Sequence, residues 1–282
     1  MNTTDLLSKV KLKAALPEGR FTDPEILELA YDALLAELVP LIVTMREEYF
    51  VKSETSTITA ATPISSRALG LALREVKMVV NNRLVDLPRI NLEDVTSMDV
   101  GTPEFFYLEN NSIVLYPPPN NSTDKIKQSF FFRPSKLVTI VETATITAIN
   151  TATGVITATI PAAWTLANKF DLVSAQPGHD VISWNLVASS VNLTDVTIAS
   201  VPVTMAVGDS ICLAGESPYA QIPDEAFDLL SQLTLCDCLS EMGALTELQA
   251  AQAKVEKLKT SLASILSNRV QGAPKKFRTS LI

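Results

Sequence analysis

Histidine is nearly absent from this sequence: among 282 residues, only His179 carries an imidazole. That count excludes a multi-histidine metal site within one subunit and argues against a histidine-based triad. His179 follows Pro177-Gly178 and reads as a loop or strand-start residue. Glycine is also scarce, at nine residues. The glycines are scattered, with neither a GxGxxG turn nor a GxxxxGKS/T phosphate loop, and Gly215-Glu216-Ser217 does not sit in GxSxG. The three cysteines are an odd number, and Cys236 and Cys238 lie two apart. Two residues apart on a helix they face different sides, and no second pair completes a zinc knuckle, so they read as small core-filling side chains. No disulfide framework emerges, which fits a reducing cytoplasm.

Positive charge is short as well. Lys and Arg total 23 against 31 Asp and Glu, for a net charge of −8 and a pI near 4.8. A general nucleic-acid binder needs the opposite balance, although DNA can slide past an acidic wall. The acidic pairs Glu47-Glu48 and Glu93-Asp94 read as solvated helix faces rather than carboxylates converging across a cleft. No apolar run approaches the roughly 20 residues of a membrane span. Met1 to Val10 contains Asp5 and no apolar core, so it does not read as a signal peptide. The expectation is a soluble, non-enzymatic protein with no cofactor, no metal and no membrane partner.

What the sequence does contain is apolar periodicity that changes type along the chain. Leu6 to Leu16 predicts a short amphipathic helix made basic by Lys9, Lys11 and Lys13, and Pro17 and Gly19 break it. Thr22-Asp23-Pro24-Glu25 is a capping box with proline in the first turn. Ile26, Leu27, Ala30, Leu34, Leu35, Leu38 and Ile42 then line one helix face. Pro40 should kink that helix or end its first half, and the helix is expected to fade near Glu48-Tyr49-Phe50.

From Val51 the pattern is β. Leu73 to Val80 and Leu84 to Leu87 flank Asn81-Asn82-Arg83, and Phe105 to Leu108 and Ile113 to Tyr116 flank Glu109-Asn110-Asn111. Both predict hairpins whose asparagines tolerate positive φ. Asn91 to Val95 predicts one capped helical turn. Lys125 to Phe132 predicts a further strand, ended by Arg133-Pro134. The aromatic cluster of Phe105, Phe106, Tyr107, Phe130, Phe131 and Phe132 carries little positive charge. It reads as β-core packing, partly reserved for a neighbouring subunit, rather than a base-stacking platform.

Residues 143–213 are rich in Thr, Ala, Val and Ile. Strands are predicted at Ala144 to Ala148, Gly154 to Ile160, Asp171 to Ser174, Val181 to Val187, Asp195 to Ala199 and Ser210 to Leu213. Short strands at this spacing suggest an inserted small barrel or sandwich. Helix returns over Asp224 to Met242 and, after Gly243, over Leu245 to Leu266. These helices are expected to pair with the 22–50 helix in a bundle. Gly272 and Pro274 then release a basic tail, Lys275-Lys276-Phe277-Arg278, which reads as a docking peg that orders on a partner.

The fold class is therefore α+β: a helical bundle built from N- and C-terminal helices, with β-hairpins and an inserted small β-barrel or sandwich. The domains read as 1–20, an N-terminal arm; 21–142 with 214–270, the bundle and its hairpin module; 143–213, the inserted β domain; and 271–282, the docking tail.

This order of elements resembles the head-to-tail adaptor, or connector, proteins of tailed bacteriophages. The resemblance is carried by FTDPEILELAYDALLAELVPLIVTMREEYFV, LREVKMVVNNRLVDLPRI, FFYLENNSIVLYPPP with FFFRPSKLV, VGDSICLAGESPYAQIPDEAFDLLSQLTL and the closing NRVQGAPKKF. It spans most of the chain, as pattern more than as diagnostic motif. It implies a structural virion protein of the neck, assembled in the host cytoplasm as a homo-oligomeric ring, commonly a dodecamer. Such a ring is seated on the portal, receives a tail or nozzle protein, and lines or seals the channel through which DNA passes during ejection without sequence-specific contact. Carried onto this chain, 22–50 and 224–268 would form the ring body and Lys275, Lys276, Phe277 and Arg278 the portal peg. The alternative is a tail or baseplate structural protein whose β module contacts the host surface.

Overall fold

The computed structural model describes residues 1–14, 20–59, 61–95, 99–120 and 124–267. It is a mixture of helix and strand, 34% and 35% of the chain, with few helices and a six-stranded barrel. The α+β expectation holds at that level. A helical bundle as the dominant body does not appear among the described residues. The chain divides into two compact units, one comprising Met1–Arg46 with the chain from Pro134 onward, the other Glu47–Arg133.

In the first unit, α1 (Thr3–Ala14) precedes α2 (Asp23–Ala33). The Thr22–Glu25 capping box forms: the Glu25 carboxylate accepts from the Thr22 amide at 2.7 Å and from its hydroxyl at 2.8 Å. The chain then widens into a π-helical segment, Leu34–Leu38, before α3 (Val39–Met45). Pro40 sits in the first turn of α3, directly after the wide turn, which accommodates its missing N–H. The helical path therefore ends at Met45 rather than near Phe50. Arg46 leaves helical geometry at φ −148°, and Glu47–Phe50 is a 3-10 turn.

The second unit holds β1 (Val51–Thr57), β2 (Thr62–Pro63), β3 (Ala68–Val80), β4 (Arg83–Asp86), β5 (Phe105–Glu109), β6 (Ser112–Tyr116) and β7 (Lys125–Phe132). They form two sheets, ordered β1-β7-β3-β4 and β2-β6-β5. Both predicted hairpins are present. Val80 pairs with Arg83 across Asn81 (φ 48°) and Asn82 (φ 61°), and Glu109 pairs with Ser112 across Asn110 (φ 47°) and Asn111 (φ 58°). Two successive positive φ values define the turn that matches strand twist, and asparagine accepts them at low cost. The helical turn predicted from Asn91 is a 3-10 turn, Leu92–Asp94, with no side-chain bond from Asn91. Phe106, Tyr107, Phe130 and Phe132 are buried, whereas Phe105 and Phe131 are half-buried. The Arg67 guanidinium lies 4.7 Å from the centre of the Phe132 ring.

After β8 (Lys136–Leu137) the first unit resumes with β9 (Ala144–Asn150), β10 (Val155–Ala158), β11 (Lys169–Val173), β12 (Val181–Val191), β13 (Asp195–Ile198) and β14 (Ser210–Leu213), then β15 (Glu216–Ser217). β9 to β14 close into a barrel in the order β10-β13-β12-β11-β14-β9. Its interior is filled by Ile146, Ile156, Phe170, Leu172, Val196 and Ile211, with Trp164 packed 5.2 Å from Phe170. The chain enters and leaves beside itself: β8 and β15 pair in parallel, and Gln221 clamps the Ser135 amide at 2.8 Å.

Two buried carboxylates hold this region. Asp171, on β11, accepts from the Asn185 and Gly215 amides, both at 2.9 Å. Asn185 adopts φ 56° where β12 departs from regular register, so the carboxylate satisfies an amide that the ladder leaves over. Asp209 accepts from Ala175 at 2.9 Å and Ala206 at 2.7 Å. The chain's two tryptophans, Trp164 and Trp184, both lie within the barrel's span, so their fluorescence reports on it alone. In Asp171→Ala, two partly buried N–H groups lose their acceptor. Urea unfolding followed by tryptophan fluorescence should show a loss of about 2–4 kcal/mol.

Candidate functional site

The helical layer is organised around α4 (Phe227–Met242), entered through a 3-10 turn, Asp224–Ala226, and followed by α5 (Leu245–Ser267). Gly243, at φ 71°, ends α4 in the left-handed conformation that favours glycine. The middle of α4 is buried on every side, from Leu229 through Leu235. α1, α2 and α5 pack against it. Two basic residues of α1 serve this docking, while Lys11 bridges Asp23 of α2. Lys9 bridges Asp228 at 2.9 Å and lies 4.9 Å from the Phe227 ring centre, and Lys13 donates to Ser231 at 2.9 Å. Asp228 occupies the first turn of α4, where a carboxylate is stabilised by the helix dipole, and Lys9 holds its pKa below the usual value.

Between α4, α5 and the π-helical segment lies a groove of about 440 Å³, lined by Glu37, Cys236, Asp237, Leu248, Val255 and Lys259 among others. Lys259 spans Glu37 at 3.1 Å and Glu256 at 3.3 Å. Burial lowers the Lys259 pKa, but its bonds to the two carboxylates outweigh that effect and the net shift is upward. Asp237 has no such partner among the described residues and carries the cost. Burial first, then Glu37, Asp32 and Glu241, push its carboxyl up to about 6. The neighbouring Cys236 thiol is pushed up to about 11 by burial and by Asp237, so at neutral pH it is a thiol rather than a thiolate. Chemically, the groove is a half-buried negative site with an apolar floor, suited to a cationic group.

Lys275, Lys276, Phe277 and Arg278 lie outside the described residues. Cys238 is fully buried, as expected of a core-filling residue, but Cys236 is only half-buried and lines the groove. His179 is a buried turn residue at φ 46°, stacked on Tyr219 with rings 4.4 Å apart and 4° from parallel. Its Nδ1 lies 3.3 Å from the Ser174 carbonyl and its Nε2 lies 2.6 Å from the Met1 amine. Burial, then the positive amine, lower its pKa, which favours the neutral ring. The groove escaped the sequence reading because Glu37, Asp237 and Lys259 belong to three segments. Only the pairing of the predicted helices could have brought them together.

The groove makes a pH-dependent prediction. The folded-state pKa of Asp237 is about 6 against an ordinary 3.8, so the folded state binds more protons between those values and stability falls as pH rises through about 6. Asp237→Asn removes that cost. After discounting for partial exposure, it should stabilise the protein by about 1 kcal/mol at pH 7.5. The gain should vanish below pH 4, where the carboxyl is protonated in both states; thermal melts across that range check it.

No family model and no curated protein matches the chain.

Proposed function

We propose that the chain is a structural virion protein of the head-to-tail adaptor kind, assembling as a ring between the capsid portal and the tail. One observation carries the reading: helices from both ends of the chain, α1 and α2 from one and α5 from the other, meet on the buried α4. That arrangement supports a platform whose outer faces meet identical neighbours, the finer bundle reading included, while the barrel hangs from it by paired entry and exit strands. In such a ring, identical weak contacts hold together because each subunit already bound raises the effective concentration for the next. The dodecameric count, the neck location and the passage of DNA belong to the same proposal. So does the role of the tail Lys275-Lys276-Phe277-Arg278 as the segment that docks on the portal.

A second reading is a tail or baseplate protein whose β module meets the host surface. The exposure of Leu166 (55%) and Leu193 (65%), on adjoining barrel loops, favours it. Negative-stain imaging of the chain mixed with purified portal separates the two. Stacked rings support the neck reading, whereas binding to host cells without portal supports the other. Deleting residues 271–282 should abolish portal attachment with no change in melting temperature; attachment that survives the deletion removes the tail from the docking role.

A further inference from the structure

The sheet β1-β7-β3-β4 ends in two strands that pair on one side only among the described residues. An edge strand presents its outward N–H and C=O groups to any partner of matching phase. β4 is exposed along its whole length, with Leu84 53% and Val85 46% accessible. On β1, Ser53, Thr55 and Thr57 are exposed.

The hydrogen-bond phase of each edge follows from the structure. Val80 and Arg83 close a two-residue turn, and Leu87 donates to the Val76 carbonyl at 3.1 Å. The odd-numbered residues of β4 therefore bond inward to β3, leaving the backbone groups of Leu84 and Asp86 facing outward. Ile58 continues the register of β1 and donates to the Asp124 carbonyl at 3.2 Å. The even-numbered residues of β1 thus bond inward, leaving those of Val51, Ser53 and Thr55 outward.

We propose that β4 of one copy pairs antiparallel with β1 of the next, extending the sheet from subunit to subunit. The three pairings within the sheet are all antiparallel, so its four strands alternate and β4 runs opposite to β1. A head-to-tail repeat preserves that alternation. Phase requires Leu84 to face an outward residue of β1, and the register that sets it opposite Ser53 places Arg83 directly opposite Glu54. Opposite charges at directly facing positions stabilise a sheet pair. Two copies of β4 facing each other fail this test: outward residues must meet outward residues, and no such register brings Arg83 opposite Asp86. A β1 pair would leave Leu84 and Val85 uncovered. Unlike edges make a heterologous contact, the kind that closes a ring. The inference thus builds on the proposed ring by naming the strands that join it, yet it can fail separately.

Size-exclusion chromatography with light scattering, up to millimolar subunit concentration, reads it. The full chain should form an oligomer. Leu84→Pro removes one outward donor without touching the ladder to β3, and should return the protein to its single-chain mass of 30.5 kDa with an unchanged melting temperature. Arg83→Glu should raise the concentration for half-assembly roughly tenfold, and adding Glu54→Arg should restore it. That rescue shows the effect is not misfolding. A full-sized oligomer in both Leu84→Pro and Arg83→Glu overturns the edge contact while leaving a ring built by other surfaces. A wild-type chain that keeps its single-chain mass throughout also overturns it. An oligomer that obeys these variants but ignores the portal upholds the edge contact and defeats the neck reading instead.

Discussion

The structure of the first unit depends on one constraint: the middle of α4, from Leu229 to Leu235, has no face that can be left in water. Leu229, Leu230, Leu233, Leu235 and Leu239 surround its axis, and the polar residues Ser231, Gln232 and Thr234 among them are buried too. Thr234 bonds back to the Leu230 carbonyl at 2.9 Å, Ser231 to Asp228 at 3.0 Å, and Gln232 reaches the Ala251 carbonyl of α5 at 3.4 Å. A helix of this kind is stable only when other elements enclose it, because burial of apolar surface supplies most of a helix's stability in a protein. Here the cover comes from both chain ends, so closing the helical layer brings the termini of the fold together. The barrel between them must then return its exit to its entry. The parallel pairing of Lys136–Leu137 with Glu216–Ser217 satisfies that condition.

Local chemistry made much of this legible in the sequence. Asn81-Asn82 and Asn110-Asn111 marked the turns because few residues other than glycine tolerate two positive φ values in succession, although Arg83 and Glu109, read as part of the turns, belong to the strands. Thr22 and Glu25 marked a helix start for an equally local reason. The apolar steps of α5 were legible because only one of its faces is buried. α4 was recognisable as helix, but its all-round burial was not evident, since period tells where one face points and not how many neighbours surround it. The π-helical widening at Leu34–Leu38 escaped because it answers to Pro40 and to packing together, and proline alone predicts only that something must give.

The candidate groove and the carboxylates of the barrel were illegible for a different reason. Asp171 and Asp209 look in sequence like ordinary strand and turn acids. They matter because distant backbone amides, such as that of Gly215 for Asp171, need acceptors that the ladders do not supply. Glu37, Asp237 and Lys259 become one site only after three helical segments have docked. Sequence can rank residue types by their cost of burial, but the partner that offsets the cost is a property of the fold. For Asp237 the offset is incomplete, and the carboxyl responds by rising to about 6.

Assembly poses the same question at a larger scale, because an open edge in a sheet is a liability unless something specifies its partner. β4 combines the features of a guarded edge and a usable one. It is only four residues long and flanked by Arg83 and Asp86, which limits indiscriminate stacking, yet its centre is Leu84-Val85 rather than lysine or proline. β1, in contrast, is edged by serine and threonine, whose small polar side chains leave the backbone approachable. Edges so unlike, running in opposite directions, favour repetition in one sense over pairing of like with like. Each junction is short and therefore weak alone. In the proposed ring, that weakness would keep the copies dispersed until enough of them, or a template, let a closed ring count every junction at once.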